Sequence, residues 1–467
     1  MRLPLGVLLL SAVAFAQSAN PRRVTVQQAG LETTAALTLY VDPVLGADIG
    51  ACTAAGAAAC KTVAGALALV PARVKHNVTV NLASGTYTDA TIKVEGFNID
   101  NGVTLTLQGA QIAFTVATGA STGTLTGVTA GSTSTTRATV VDSGQTWTTN
   151  DLRGRFFRTT SGAGTSTYYP IISNTATDIV LATNSSNVAV SNTYEIITPG
   201  AIFSFTAAGQ IKGNNGGGSV QVTDVTLGSS TNVWQLAEGT TTFRRARMVT
   251  TSTLPISATS TSPTAGACVS CYISNDGSTG AVSIGGGNTF TLATSYVRST
   301  STGTLALLQA TDTSKFTLSS GTFESASTAA GSAIFSFRST AISTAAGFYD
   351  CSSANQTAIH LPGSGLTSAS SPSGSVFFSA GPVVNGCGTA IHVNRQGAVE
   401  ISTSSSGLAV SNATTAFHVS DGGRIYFNTK TPTFTTVTNE IMLDGVGAAF
   451  ATLVTYLTNA EYSILYR

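Results

Sequence analysis

Ala390-Ile391-His392-Val393 followed by Gly397-Ala398-Val399-Glu400-Ile401, then Ala416-Phe417-His418-Val419 followed by Gly423-Arg424-Ile425-Tyr426-Phe427: between Ala390 and Asn428 the chain writes one pattern twice. Ile391 and Phe417 stand 26 residues apart, and apolar residues recur two, eight and ten places after each. Alternation inside each piece is the period of a strand. Its return at a fixed interval is the signature of stacked turns, each too small to bury its own apolar face.

The register extends backwards. Val282, Leu308, Ile334, Ile359, Ile391 and Phe417 occupy one slot, with gaps of 26, 26, 25, 32 and 26. Two places on stand Ile284, Ala310, Phe337 (one place late), Leu361, Val393 and Val419; eight places on stand Phe290, Phe316, Ile342, Val399 and Ile425, with Leu366 offered one place early. Two strands per turn therefore point apolar residues inward, with Gly or Ser at the bends. The 32-residue gap predicts an extra loop, placed by its Ser/Pro/Gly content at Ser368 to Ser375, since insertions in repeats map to loops.

Composition fits such a chain. Of 467 residues 42% are hydrophobic and only 9% charged, with a formal net charge of +1, against roughly 25% charged in ordinary globular domains. There is no basic face for phosphates, so nucleic acid is excluded as a partner. Residues 1–16 read as a signal peptide: Arg2, an apolar run from Leu3 to Val13, then Ala14-Phe15-Ala16. The run is too short to span a bilayer, and no other long apolar stretch follows, so the mature chain is expected secreted or on the cell surface, or in a periplasm. The six Cys (52, 60, 268, 271, 351 and 387) fit disulfides in such a compartment. Cys52 and Cys60 are the best pair by proximity. Cys268-Val269-Ser270-Cys271 has the spacing of a redox or zinc half-site but no partner motif, which favours buried structural Cys.

Before the repeats come a signal segment (1–16), a polar lead-in (17–38) and a first region (39–119). In this region Leu39 to Val41 reads as a strand, Lys61 to Val70 has helical spacing closed by Pro71, Val78 to Leu82 alternates, and Ser84-Gly85-Thr86-Tyr87 turns. The stretches "LYVDPVLGADIG", "KTVAGALALVP", "VTVNLASGTYTD" and "VTLTLQGA" resemble the start of right-handed parallel β-helix proteins of the pectin-lyase-like superfamily. That resemblance covers about residues 39–110, with coil-like repeats in the last third. It implies an all-β right-handed parallel β-helix whose first coil is capped by a short amphipathic helix. Enzymes, adhesins and phage tailspikes share these features, so the resemblance speaks to fold. Residues 120–199 break the rhythm with short strands and hairpin turns around Trp147, Arg155-Phe156-Phe157-Arg158 and Tyr168-Tyr169. They predict a small antiparallel module inserted in the helix. The β-helix resumes over 200–430, and 431–467 forms a C-terminal cap, with a strand at Ile441-Met442-Leu443 and a short helix over 448–459.

The register also stacks outward residues. His360, His392 and His418 fall one place after their slots on successive turns, preceded by Phe335 and Gln309. A ladder of imidazoles is a candidate metal site, opposed by its geometry, since ligands in a row do not converge on a point. Glu324 and Asp350 fall near each other on adjacent turns, the arrangement of paired carboxylates in glycoside hydrolysis. With Arg338 they form the candidate catalytic set of a polysaccharide lyase or glycoside hydrolase acting on an acidic polysaccharide. Trp147, Arg245, Arg247 and Arg395 are candidate ligand contacts. For Trp147 the competing reading is the module's own core, where large aromatics usually pack; for the Arg244-Arg245-Ala246-Arg247 cluster it is a solvated edge.

The superfamily's catalytic motifs are absent. There are no Asp clusters for calcium with a nearby Arg, and no Asn-Thr-Asp, Asp-Asp or Gly-His-Gly. The pectin-methylesterase-like Gly-x-Tyr-x-Glu survives only as Gly85-Thr86-Tyr87-Thr88-Asp89. The leading expectation is thus a non-enzymatic β-helix contacting an extracellular polysaccharide or cell-surface glycan, with no cofactor, monomeric or homotrimeric. The other two are the lyase or hydrolase above and a phage-tailspike-like trimeric spike, against which the signal peptide argues.

Overall fold

A computed structural model of the chain describes residues 32–448 and 463–466, apart from short internal stretches that include 130–136, 206–210, 301–305, 328–332, 338–340, 362–373, 395–396 and 402–407. The signal segment, Arg338, Arg395, Leu366 and nearly all of the expected 448–459 helix lie outside the described residues.

The chain folds as a parallel β-solenoid of about 11 turns. Each turn has three walls, where the sequence pattern resolved two strands. Wall 1 starts at Leu37–Val41, which pairs in parallel with Val78–Leu82, which in turn pairs with Thr104–Gly109. Wall 2 starts at Gly85–Tyr87 under Ala201–Phe205. Wall 3 starts at Ile92–Ile99 under Ile211–Asn215. Strands on each wall stack at roughly 4.8 Å, so inward side chains form continuous columns. On wall 2 the column includes Tyr87, Phe203, Leu227, Met248, Ile273 and Val297. On wall 3 it runs through Val282, Leu308, Phe335, Ile359, Ile391, Phe417 and Ile441.

That last column corrects one slot. Phe335, not Ile334, stands in register with Leu308 and Ile359, although Ile334 beside it is also buried in the core, and Phe337 pairs with Ala310 without the one-place lag. The wall-1 partner of Ile342 and Val399 is Val376, so the place offered to Leu366 belongs to Val376, and the extra residues of the long turn fall between Leu361 and Val376.

Wall 1 meets wall 2 at a corner made by one residue in the left-handed region. Asp224, Arg245, Ser270, Thr294 and Ser320 all hold φ between 46° and 54°. A left-handed residue reverses the direction of the next strand's side chains, so Phe290 and Leu292 face inward before Thr294 and Val297 faces inward after it. Buried amides tie other corners. Asn288 Oδ1 accepts from the Thr264 N–H and hydroxyl, and its Nδ2 donates to Ala258 O at 2.9 Å. Asn275 Nδ2 donates to Thr279 O at 2.8 Å.

The N-terminal end is closed by the helix Val63–Ala68, with Thr62 as N-cap accepting from Gly65 N. Its buried Val63, Ala66 and Leu67 join the solenoid core. Among the described residues no helix is long and apolar enough to cross a membrane. Two disulfides form, Cys52–Cys60 and Cys351–Cys387, while Cys268 and Cys271 are free and buried.

The inserted module leaves the solenoid at the wall 1–wall 2 corner, between Gly109 and Ala201, and its sheet begins at Gln111, earlier than the pattern suggested. Eight strands form an antiparallel sheet around Trp147, Phe157, Tyr169, Ile171, Tyr194 and Ile196. Its two ends meet, with Gly200 N donating to Ala110 O at 2.7 Å.

Candidate functional site

The module lies against wall 2. Phe156, Ile172, Ala182 and Ile197 on its near side pack with Tyr272 and Tyr296, two wall-2 residues whose side chains point away from the solenoid interior. The tyrosine rings meet edge-on, with centroids 5.4 Å apart. Further along the same wall Thr322 Oγ1 donates to Ala182 O at 2.7 Å. Arg137 of the module donates to Thr322 Oγ1 at 3.3 Å, sits 4.8 Å over the Phe348 ring and is ion-paired with Asp350.

Of the residues singled out from the sequence, the seam holds Glu324, Asp350, Arg245 and Arg247. Glu324 and Asp350 are in direct register on adjacent strands, as the spacing suggested. Their charges, however, are engaged. Glu324 accepts the Tyr296 hydroxyl and pairs with Arg298 Nε at 3.4 Å. Asp350 holds Arg137. Burial, then the Glu324 charge, pushes the Tyr296 phenol well above its usual range, so it stays protonated as a donor. A hydrolase pair must reach a glycosidic bond from two sides, whereas these carboxylates face tyrosine and arginine partners at a packed joint. Arg338, the third member of the candidate catalytic set, lies outside the described residues.

The proposed ligand contacts are also drawn inward. Trp147 is 3% exposed, and its Nε1 donates to Ala120 O at 2.9 Å, so its indole has no free face for a sugar. Arg245 makes a two-pronged pair with Asp224 (2.6 and 2.7 Å) under the Tyr168 ring, 4.5 Å away. Arg247 lies 5.7 Å from the Tyr272 ring centroid, and burial lowers its pKa. The left-handed corner at Arg245 separates it from Arg247, so the two do not share one strand face. Arg244 is the exposed member of the cluster. The docking roles of Arg137, Tyr168 and Thr322 were not legible in the sequence, because the contacts they make join residues far apart in the chain.

Wall 3 holds the histidine ladder. His360, His392 and His418 are in register. Their rings stack at 4.9 Å with 16° between planes, then at 4.2 Å with 5°. His392 Nε2 lies 3.3 Å from Ser420 Oγ. Burial, followed by the charges of His418 and His360, pushes His392 down to about 4, and burial also lowers His360. Near-parallel rings in file do not converge on one point, and no group of three metal-ligating side chains is assembled among the described residues. Tetrahedral or octahedral ligation needs ligands that converge, and the three rings stand in file instead. The step before His360 is Ser336 rather than Phe335, because Phe335 faces the core.

No protein-family description and no curated protein matches the chain. Solved structures similar to it include the tailspike protein gp49 from Pseudomonas phage LKA1, at 12% identity over 89% of this chain and 72% of that one, TM-score 0.23. The Gp54 tailspike of Acinetobacter baumannii bacteriophage AP22, solved in complex with A. baumannii capsular saccharide, is 9% identical over 83% and 74%, TM-score 0.28. A structure titled "Glycoside hydrolase" is 8% identical over 87% and 96%, TM-score 0.20. The class defined by the coordinates is the parallel β-helix.

Proposed function

We propose that this chain is a non-enzymatic extracellular β-helix that binds glycans. The observation carrying this reading is the seam. Glu324 and Asp350, the carboxylates that the turns bring into register, are held by Tyr296, Arg298 and Arg137 beneath a docked module. An acid and a base poised over a substrate are what hydrolysis or elimination requires, and this pair is engaged structurally instead. The solenoid carries hydroxyls and amides in regular outward rows, such as Ser257, Ser283 and Gln309 on wall 3. Two disulfides fit an oxidising compartment. The helix cap and the first coil fit membership of the pectin-lyase-like superfamily.

The test is to incubate the purified chain with neutral and acidic polysaccharides and follow retention, unsaturated uronate products and reducing ends. Binding without turnover is expected, with Glu324→Gln and Asp350→Asn altering melting temperature alone. Turnover abolished by those substitutions would overturn the reading. The mass in solution would decide between monomer and trimer.

A further inference from the structure

We infer that the glycan-binding surface is the outward row of wall 3 from Ser257 to His418, and that its ligand is an uncharged, linear polysaccharide strand lying parallel to the solenoid axis. This rests on the glycan-contact reading above. The three walls differ in what they offer. Wall 2 is covered by the module across the strands carrying Tyr272, Tyr296, Thr322 and Phe348. The outward row of wall 1 is broken by Ala267, then by Phe377, and reaches the charge of Glu400. On wall 3 the row steps from Ser257 through Ser283, Gln309 and Ser336 to the three histidines, in register at every step. All are half-buried by their neighbours above and below.

Each side chain of this row both donates and accepts a hydrogen bond when uncharged, as each sugar hydroxyl does. Between Ser257 and His418 the row carries no carboxylate, lysine or arginine, its register meeting lysines only earlier, at Lys212 and Lys93 beyond Gln235, so this stretch lacks the charge-assisted donors that recognition of a uronate uses. Its members recur at roughly 4.8 Å over about 29 Å, an interval comparable to one sugar ring along an extended chain. The stacked imidazoles keep their nitrogen-bearing edges in file without free rotation, which lowers the entropy lost on binding. A strand laid along the axis meets one polar group per turn.

The experiment is calorimetric titration of the full chain with xylan, β-glucan and mannan oligosaccharides, with polygalacturonate and alginate oligosaccharides as acidic counterparts. Gln309→Ala with His392→Ala should weaken binding of an uncharged chain at least tenfold. Ser283→Arg, which leaves the histidine stack intact, should do the same by obstructing the row, and melting temperatures would identify a variant that has merely lost its fold. Thr291→Ala with Thr317→Ala on wall 1 should leave affinity unchanged. Uncharged chains bound equally by wild type and Ser283→Arg would overturn this site while leaving glycan binding standing. Preference for acidic chains would overturn the ligand class. Binding to none of the probes would overturn the glycan reading itself, and this inference with it.

Discussion

His392 is held between two like rings, with a pKa near 4 set first by burial and then by the charges of His418 and His360. Its ordinary value is 6.5, so the folded chain binds its proton less readily than the unfolded chain does. The stability tied to the neutral ring is complete above about pH 6.5 and is lost as pH falls towards 4. The melting temperature should therefore decline across that window, and His392→Gln should flatten the decline. Parallel curves for the two proteins would show that the ladder does not set the acid limit. The ladder itself was legible in the sequence, because a correct register stacks outward residues as reliably as inward ones. The partners of Asp350 were not, since Arg137 lies 213 residues earlier and no local pattern relates the two.

At the scale of the strand, the corner residues explain why three walls read as two. Thr289–Ser299 and Lys315–Ser325 are continuous eleven-residue strands that bend at Thr294 and Ser320. One left-handed residue moves the inward positions from even to odd numbers, so a period-two search loses the pattern at the point where wall 2 begins. The 26-residue interval survived because successive turns repeat that offset, as at Thr294 and Ser320. A β-branched residue in the left-handed region is strained. Thr294→Asn should therefore raise stability by about 1 kcal/mol, with the amide taking over the contact that Thr294 Oγ1 makes with Ser270 Oγ at 3.2 Å. Denaturant titration would measure it, and a lowered midpoint would mean that the hydroxyl contact outweighs the backbone strain.

At the scale of the molecule, the solenoid and the module are joined at two adjacent chain ends and along wall 2. Because Ala110 and Gly200 are hydrogen-bonded neighbours, residues 111–199 can be replaced by a short turn with little disturbance to the coil. Such a variant should keep its strand circular dichroism yet bind a hydrophobic dye, because Tyr272, Tyr296 and Phe348 would be laid bare. Loss of the strand signal would instead make the module a requirement for the coil. An inserted antiparallel unit was readable from hairpin turns, whereas the wall it would lie on was not, since Tyr272 and Tyr296 look like any strand aromatics. In a solenoid each turn ordinarily answers only to its neighbours, but here Ala182 is bonded to Thr322 and Arg137 to Asp350. These are contacts of long reach in sequence, of the kind that slow folding. As the chain leaves a ribosome or a translocon, the module is complete long before its seat exists. Its docking face, with Phe156 and Ile172, must wait uncovered while the coil from Ala201 to Tyr296 is made beneath it. The chain is thus most exposed to aggregation during synthesis, and slowing elongation between the module and Asp350 should lengthen that interval.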